Sequence, residues 1–83
     1  MKVLADVSFV DEKTIRSLNR RWRKIDKVTD VLSFPLDREV GPDGVMRLGD
    51  IVICKSQALK KGHSVPFLIQ HAMLHLLGKH HEN

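Results

Sequence analysis

Three histidines near the end of the sequence have the residue type and the spacing of a metal site. His71, His75 and His81 are set around Gly78 in the pattern H-x-x-x-H-x-x-G-x-x-H. Residues four apart lie on one face of a helix, so the first two imidazoles can aim at one point. A glycine after the helix supplies a left-handed turn that can bring His81 to the same point. The pattern predicts one zinc ion per chain, bound by His71, His75 and His81 with a fourth position for water.

The histidines could instead have only a structural role. A pair of histidines on an apolar helix is often simply packed and hydrogen-bonded. The third histidine favours the metal site, because a structural role does not require that combined spacing around a glycine. His80 neighbours His81 and could replace it as a ligand, whereas His63 follows Gly62 in a loop and is expected to be solvated.

The position after the first histidine bears on the reaction. Metzincin proteases share the histidine spacing and have a glutamate there, which activates the metal-bound water. This sequence has Ala72 instead, so peptide hydrolysis lacks its general base and hydrolysis of a different bond is favoured. Asp50 could hydrogen-bond a ligand histidine, although capping a backbone turn is an equal alternative.

The elements that must position these side chains alternate between strands and helices. The patterns predict strands over 3–10, 31–36 and 48–54 and helices over 12–24, 56–61 and 65–77. The first strand, helix and second strand suggest a right-handed parallel crossover. A turn at 41–44 predicts an antiparallel hairpin of the second and third strands, and Pro35 places the second strand's end at a sheet edge.

The first helix has an apolar stripe and a basic face. Ile15, Leu18 and Trp22 recur at helical spacing, and Trp22 has no neighbouring aromatic residues, so it is predicted to lie in the core. The basic side chains of this segment are Arg16, Arg20, Arg21, Arg23, Lys24 and Lys27. Such a face is usually solvated, and contact with nucleic acid is the alternative.

Composition limits the class of protein. The 83 residues suffice for a single domain over 1–83, and the net charge of +4 favours a polyanionic partner such as RNA. The single cysteine, Cys54, cannot form an internal disulfide and is expected to be a buried, inert thiol, which points to the reducing cytoplasm. The first ten residues are too short and too interrupted by Asp6 for a signal peptide, and no later segment approaches a membrane span.

Three segments together resemble the YbeY family of bacterial rRNA-maturation endoribonucleases. They are LNRRWRKIDKVTDVLSFPLD, LGDIVI and HAMLHLLGKHH. The resemblance implies an α+β fold in which a small mixed sheet packs against helices. The histidine helix is apolar on most of its circumference, which predicts that it lies at the centre of the fold. The resemblance also implies a zinc-dependent, single-strand-specific endoribonuclease that acts on rRNA precursors, with the ribosome as a further partner and no DNA substrate. Arg23 falls on the family's arginine and is the candidate catalytic contact to phosphate.

The sequence also departs from the family pattern. It is shorter than family members usually are, and it has Ala72 in place of a glycine and Lys79-His80 in place of Tyr-Asp. Only Glu82 or a neighbouring histidine could replace that aspartate. Two other functions therefore remain open: a zinc-stabilised RNA- or ribosome-binding module without catalysis, and a metal hydrolase of another substrate, including peptides.

Overall fold

Three strands and three helices form the fold. The computed structural model describes residues 2–36 and 40–78. The elements are β1 (Lys2–Phe9), α1 (Glu12–Arg23), β2 (Val31–Pro35), β3 (Val45–Ile53), α2 (Lys55–Lys61) and α3 (Val65–Leu76). All six match predicted segments, and the α+β class is confirmed. The largest difference is in β3, which begins three residues early because 45–47 pair with 2–4 of β1.

The strand order in the sheet is β1-β3-β2. β3 runs antiparallel to β2, as the hairpin predicted, and parallel to β1. The predicted parallel crossover from β1 to β2 is therefore wrong, because β2 runs in the opposite direction to β1. Burial explains the order: 51–53 of β3 are buried on both faces, so β3 takes the central position. Pro35 ends the edge strand β2, as predicted.

The helices α1 and α3 lie on opposite faces of this sheet. Ile15 of α1 packs with Val52, and Leu68 of α3 packs with Ile51 and Ile53. Successive side chains of a strand point to opposite faces, so α1 and α3 must cover different faces. The prediction that the histidine helix occupies the centre of the fold is not confirmed, because α3 has the sheet on one side only.

The prediction that Trp22 belongs to the core is wrong. Its side chain is 60% exposed, and its ring meets Phe34 edge-to-face with 6.3 Å between centroids. α1 instead buries Ile15 and Asn19. Trp22 lies in the last turn, over the edge strand β2, where no further described strand can cover the indole. Arg21 lies 5.4 Å from the indole centroid.

No helix in the described part of the chain is long and apolar enough to cross a membrane.

Gly49 is required by the close approach of β2 and β3. Its φ of +153° lies in a region that L side chains rarely adopt. A Cβ at this position would collide with the carbonyl oxygen of Phe34 and come within 2.9 Å of the Cα of Pro35. The hairpin that supports the α3 face of the sheet thus depends on a glycine here.

We expect Gly49→Ala to destabilise the protein strongly. Gly44→Ala is the matched control, because Gly44 also has a positive φ but no atom lies within 4 Å of its virtual Cβ. Backbone strain alone should make the control lose about 1 kcal/mol in the free energy of unfolding. The collision should add about 1–3 kcal/mol for Gly49→Ala, measured by urea denaturation. Equal losses in the two variants would contradict the proposed collision.

Candidate functional site: a cavity lined by histidines and Arg23

One cavity contains most of the residues singled out from the sequence. It has a volume of about 550 Å³ and lies between α3, β2 and the end of α1. Among its lining residues are Arg23, Asp30, His63, Phe67, His71 and His75. Residues that are far apart in the sequence therefore share one surface, which includes one arginine and three imidazole groups.

The packing of α3 presents His71 and His75 to this cavity. The Ser64 hydroxyl caps the helix by accepting a hydrogen bond from the Phe67 backbone N–H at 3.2 Å, as predicted. Leu68, Ala72 and Leu76 are buried and fix the rotation of the helix. The ring centroids of His71 and His75 are 4.6 Å apart, so the two imidazoles share one helical face. Their role as metal ligands stays a prediction.

The third predicted ligand, His81, lies outside the described residues, as do His80 and Glu82. Within 2–36 and 40–78, no group of three or more His, Cys, Asp or Glu side chains is placed to hold a metal ion. Gly78 has φ +78°, which is the left-handed turn predicted to follow the helix. The described residues thus include two of the three predicted imidazole ligands. They also include the left-handed turn that precedes the third ligand in the sequence.

Arg23 is the last residue of α1, and it lines the cavity. Lys24 then adopts a left-handed conformation, with φ +63°, and ends the helix. Arg23 forms no ion pair with any described residue, whereas Arg16 is engaged with Asp26, with 2.9 Å between Nε and Oδ1. Of the predicted basic face, Arg23 is therefore the member that lines the cavity with its cation available to a ligand.

His63 and Asp30 form a pair that the sequence analysis missed. His63 was expected to be solvated, but its Nδ1 lies 2.8 Å from Oδ2 of Asp30, whose side chain is only 8% exposed. Burial alone raises the pKa of the Asp30 carboxyl, but the hydrogen bond to His63 and the charge of Lys61 outweigh it and leave the pKa below its ordinary value of 3.8. A signal was available, because His63, Phe67, His71 and His75 recur every four residues.

The rings of this four-residue series contact one another along the cavity. Centroid distances are 5.3 Å from His63 to Phe67, 6.0 Å from Phe67 to His71 and 4.6 Å from His71 to His75. We call His63, Phe67, His71 and His75 the ring row. It extends the helical face of the predicted ligands back past the Ser64 cap.

Two further predictions concern residues away from the ring row. Asp50 lines a different cavity with Trp22 and Phe34, within the strand pairing of β3, so it supports neither of the described ligand histidines and caps no turn among the described residues. Cys54 is fully buried, as predicted, and its Sγ lies 3.4 Å from the Ser56 hydroxyl.

Fold and cavity together define a small basic α+β protein whose cavity combines histidines with an arginine that pairs with no carboxylate among the described residues. The chain belongs to the Endoribonuclease YbeY family, whose model matches residues 1–83. It is 46% identical to Endoribonuclease YbeY of Thermoanaerobacter sp. (strain X514), over 96% of this chain and 62% of the relative. It is 48% identical to that of Aquifex aeolicus (strain VF5), over 92% of this chain and 55% of the relative. The resemblance seen in the sequence is thereby confirmed, and the chain spans 55 to 62% of these relatives.

The lowered pKa of Asp30 predicts a loss of stability in acid. The carboxylate contributes stability above its unfolded pKa, and this contribution disappears as pH falls through the lower folded pKa. At pH 5 we expect Asp30→Asn to reduce the free energy of unfolding by about 1–2 kcal/mol, because a hydrogen-bonded buried charge is removed. The difference between parent and variant should shrink by pH 3, below the ordinary value of 3.8.

Asp26→Asn is the control for this measurement. Its carboxyl also has a lowered pKa, chiefly through the hydrogen bond from Arg16, but the side chain is 58% exposed. The Asp26 variant should therefore lose less stability at pH 5. A loss as large as that of Asp30→Asn, measured by urea denaturation, would show that burial of Asp30 adds nothing.

Proposed function

We propose that this chain carries the catalytic centre of a metal-dependent endoribonuclease that hydrolyses single-stranded RNA. The observation that carries the proposal is the cavity shared by His71, His75 and Arg23. The relatives named endoribonucleases support the same activity. The proposed substrates are rRNA precursors in the cytoplasm, with the ribosome as a further partner.

His71 and His75 would hold the metal together with His81. One zinc ion per chain suits three neutral imidazoles and leaves a coordination position open. When bound, zinc supplies a Lewis acid that activates water or polarises a phosphoryl oxygen, so no glutamate beside it is needed. Ala72 is consistent with this chemistry, because its buried methyl group offers no general base for peptide hydrolysis.

Arg23 would bind the scissile phosphate. A guanidinium donates two parallel hydrogen bonds to phosphate oxygens, and its charge opposes the negative charge that develops on them. The exposed arginines of the same helix, Arg20 and Arg21, would attract the flanking phosphates without touching the reacting atoms. Arg23 therefore has the catalytic role, and the rest of the basic face has a binding role.

The first test joins metal content with RNA cleavage. We expect about one zinc ion per parent chain and cleavage of a single-stranded RNA, with both lost in the His71→Ala/His75→Ala variant. Gln70→Ala is the matched control, because Gln70 is exposed on the same helix and does not line the cavity. Metal analysis and gel-resolved cleavage measure the outcome. Full cleavage by the double variant would exclude the proposed metal centre.

Arg23→Ala should separate catalysis from metal binding. We expect cleavage to fall by about 100-fold or more, because a cation that stabilises the transition state is lost. Zinc content should not change. Arg21→Ala is the control, since Arg21 contacts the Trp22 ring and does not line the cavity. If Arg23→Ala cleaved RNA as fast as the Arg21 control, Arg23 would have no catalytic role.

A second candidate function follows from the extent of the match. The chain spans only 55 to 62% of the relatives named above, so an RNA-binding module without catalysis is the alternative. Such a module would bind zinc and single-stranded RNA, with an affinity that falls as salt increases, and would release no product.

A further inference from the structure

His63 faces the same cavity as the proposed catalytic residues but has no role in the mechanism given so far. It is held at the junction between α2 and α3. Gly62 ends α2 with φ +73°, and the His63 backbone N–H then donates to the Ala58 carbonyl at 2.9 Å. The backbone carrying the imidazole is therefore fixed by a helix end.

Asp30 fixes the imidazole itself. Its backbone carbonyl accepts a hydrogen bond from the Cys54 N–H at 2.9 Å, which ties it to the end of β3. Its carboxylate lies 2.8 Å from Nδ1 of His63 through Oδ2 and 3.6 Å from Nζ of Lys61 through Oδ1. A buried carboxylate in this position orients the ring and favours the tautomer in which Nδ1 carries the proton.

The other ring nitrogen is free to meet a ligand. Nε2 of His63 forms no hydrogen bond with any residue in the described part of the chain, and the side chain is 41% exposed beside the cavity. An imidazole that donates through Nδ1 to a carboxylate can hold a second proton on Nε2, because the carboxylate stabilises the resulting imidazolium. The pair thus has the composition of a proton-transfer dyad.

We propose that His63 is a second catalytic residue, which donates the Nε2 proton to the leaving oxygen of the cleaved phosphodiester. This inference rests on the proposed function. Water adds to phosphorus and loses its proton to solvent, while the bond from phosphorus to the leaving oxygen breaks and its electron pair stays on that oxygen. The Nε2 proton converts this oxygen to a hydroxyl, and the neutral imidazole regains a proton from solvent. Asp30 is a positioning residue in this step.

A role for His63 as a further metal ligand fits the geometry less well. Phe67 contacts both His63 and His71 and separates them along the ring row. Zinc binds imidazole nitrogen at about 2.0–2.1 Å, so a metal held by His71 and His75 would be one ring removed from His63. That separation instead suits a group acting on the far side of a phosphate bound between the metal site and Asp30.

The test compares two leaving groups in His63→Gln. One substrate is a single-stranded RNA. The other is the same RNA with sulfur in place of the leaving oxygen. The end groups of the products of the parent reaction show which oxygen leaves. A thiolate is a weaker base than an alkoxide and departs without a proton. We expect His63→Gln to cleave the oxygen substrate about 100-fold more slowly and the sulfur substrate within about threefold of the parent rate.

Lys60→Ala is the matched control. Lys60 lies in α2, three residues before His63, but its Nζ pairs with Glu12 at 3.1 Å, away from the cavity. It should cleave both substrates at the parent rate. Equal slowing of both substrates by His63→Gln, no slowing of either, or loss of zinc would each overturn the role of His63 as a proton donor. If the parent protein cleaved neither substrate, the proposed function would fail as well.

A measurement on the parent protein alone covers the case in which the variant does not fold. Long-range proton–nitrogen correlation should show His63 protonated at Nδ1. A neutral His63 protonated only at Nε2 in the parent protein would overturn the dyad.

Discussion

The rotation of α3 about its own axis is the constraint on which the candidate site depends. Leu68, Ala72 and Leu76 pack onto the sheet, and each follows a member of the ring row by one residue. Successive helical residues are about 100° apart around the helix axis. Burying these three apolar side chains therefore turns the side chains of the residues just before them towards the cavity. Rotation by one residue would bury the imidazoles against Ile51 and Ile53. Core packing therefore orients the histidines. Turning them away from the cavity would cost the free energy of that packing.

The charges around the cavity are arranged so that an anion can enter. Asp30 is the carboxylate among its lining residues, and it is engaged by His63 and Lys61. Arg23 also lines the cavity, and it has no carboxylate partner among the described residues. A phosphate would thus meet an uncompensated cation, while the negative charge of Asp30 is directed at an imidazole. This separation of charge suits a polyanionic substrate better than a neutral one.

Local features of the sequence were enough to predict the helices and strands, but not everything that they contact in the fold. The Ser64 cap, Pro66 and the four-residue spacing of His71 and His75 act within one helix, and the structure has them as predicted. The order and the directions of the strands depend on pairing across the whole sheet, and for that reason the crossover was wrongly predicted to be parallel. His63 was missed because its partner, Asp30, lies 33 residues earlier in the chain.

The segment 24–30 connects two residues that line the cavity. It begins directly after Arg23 and ends at Asp30, so its conformation sets the position of the proposed phosphate contact relative to the dyad. Besides the backbone hydrogen bonds of Lys24 and Ile25 to the end of α1, two side-chain contacts join it to this helix. The Asn19 side-chain amide donates to the Lys27 carbonyl at 3.0 Å, and Arg16 pairs with Asp26. Asn19 is buried, whereas Arg16 and Asp26 are more than half exposed. Exposed ion pairs contribute little, so of these two side-chain contacts the hydrogen bond from Asn19 contributes more. A buried polar residue on α1, remote from any reacting atom, thereby holds the arginine and the Asp30–His63 pair in one geometry.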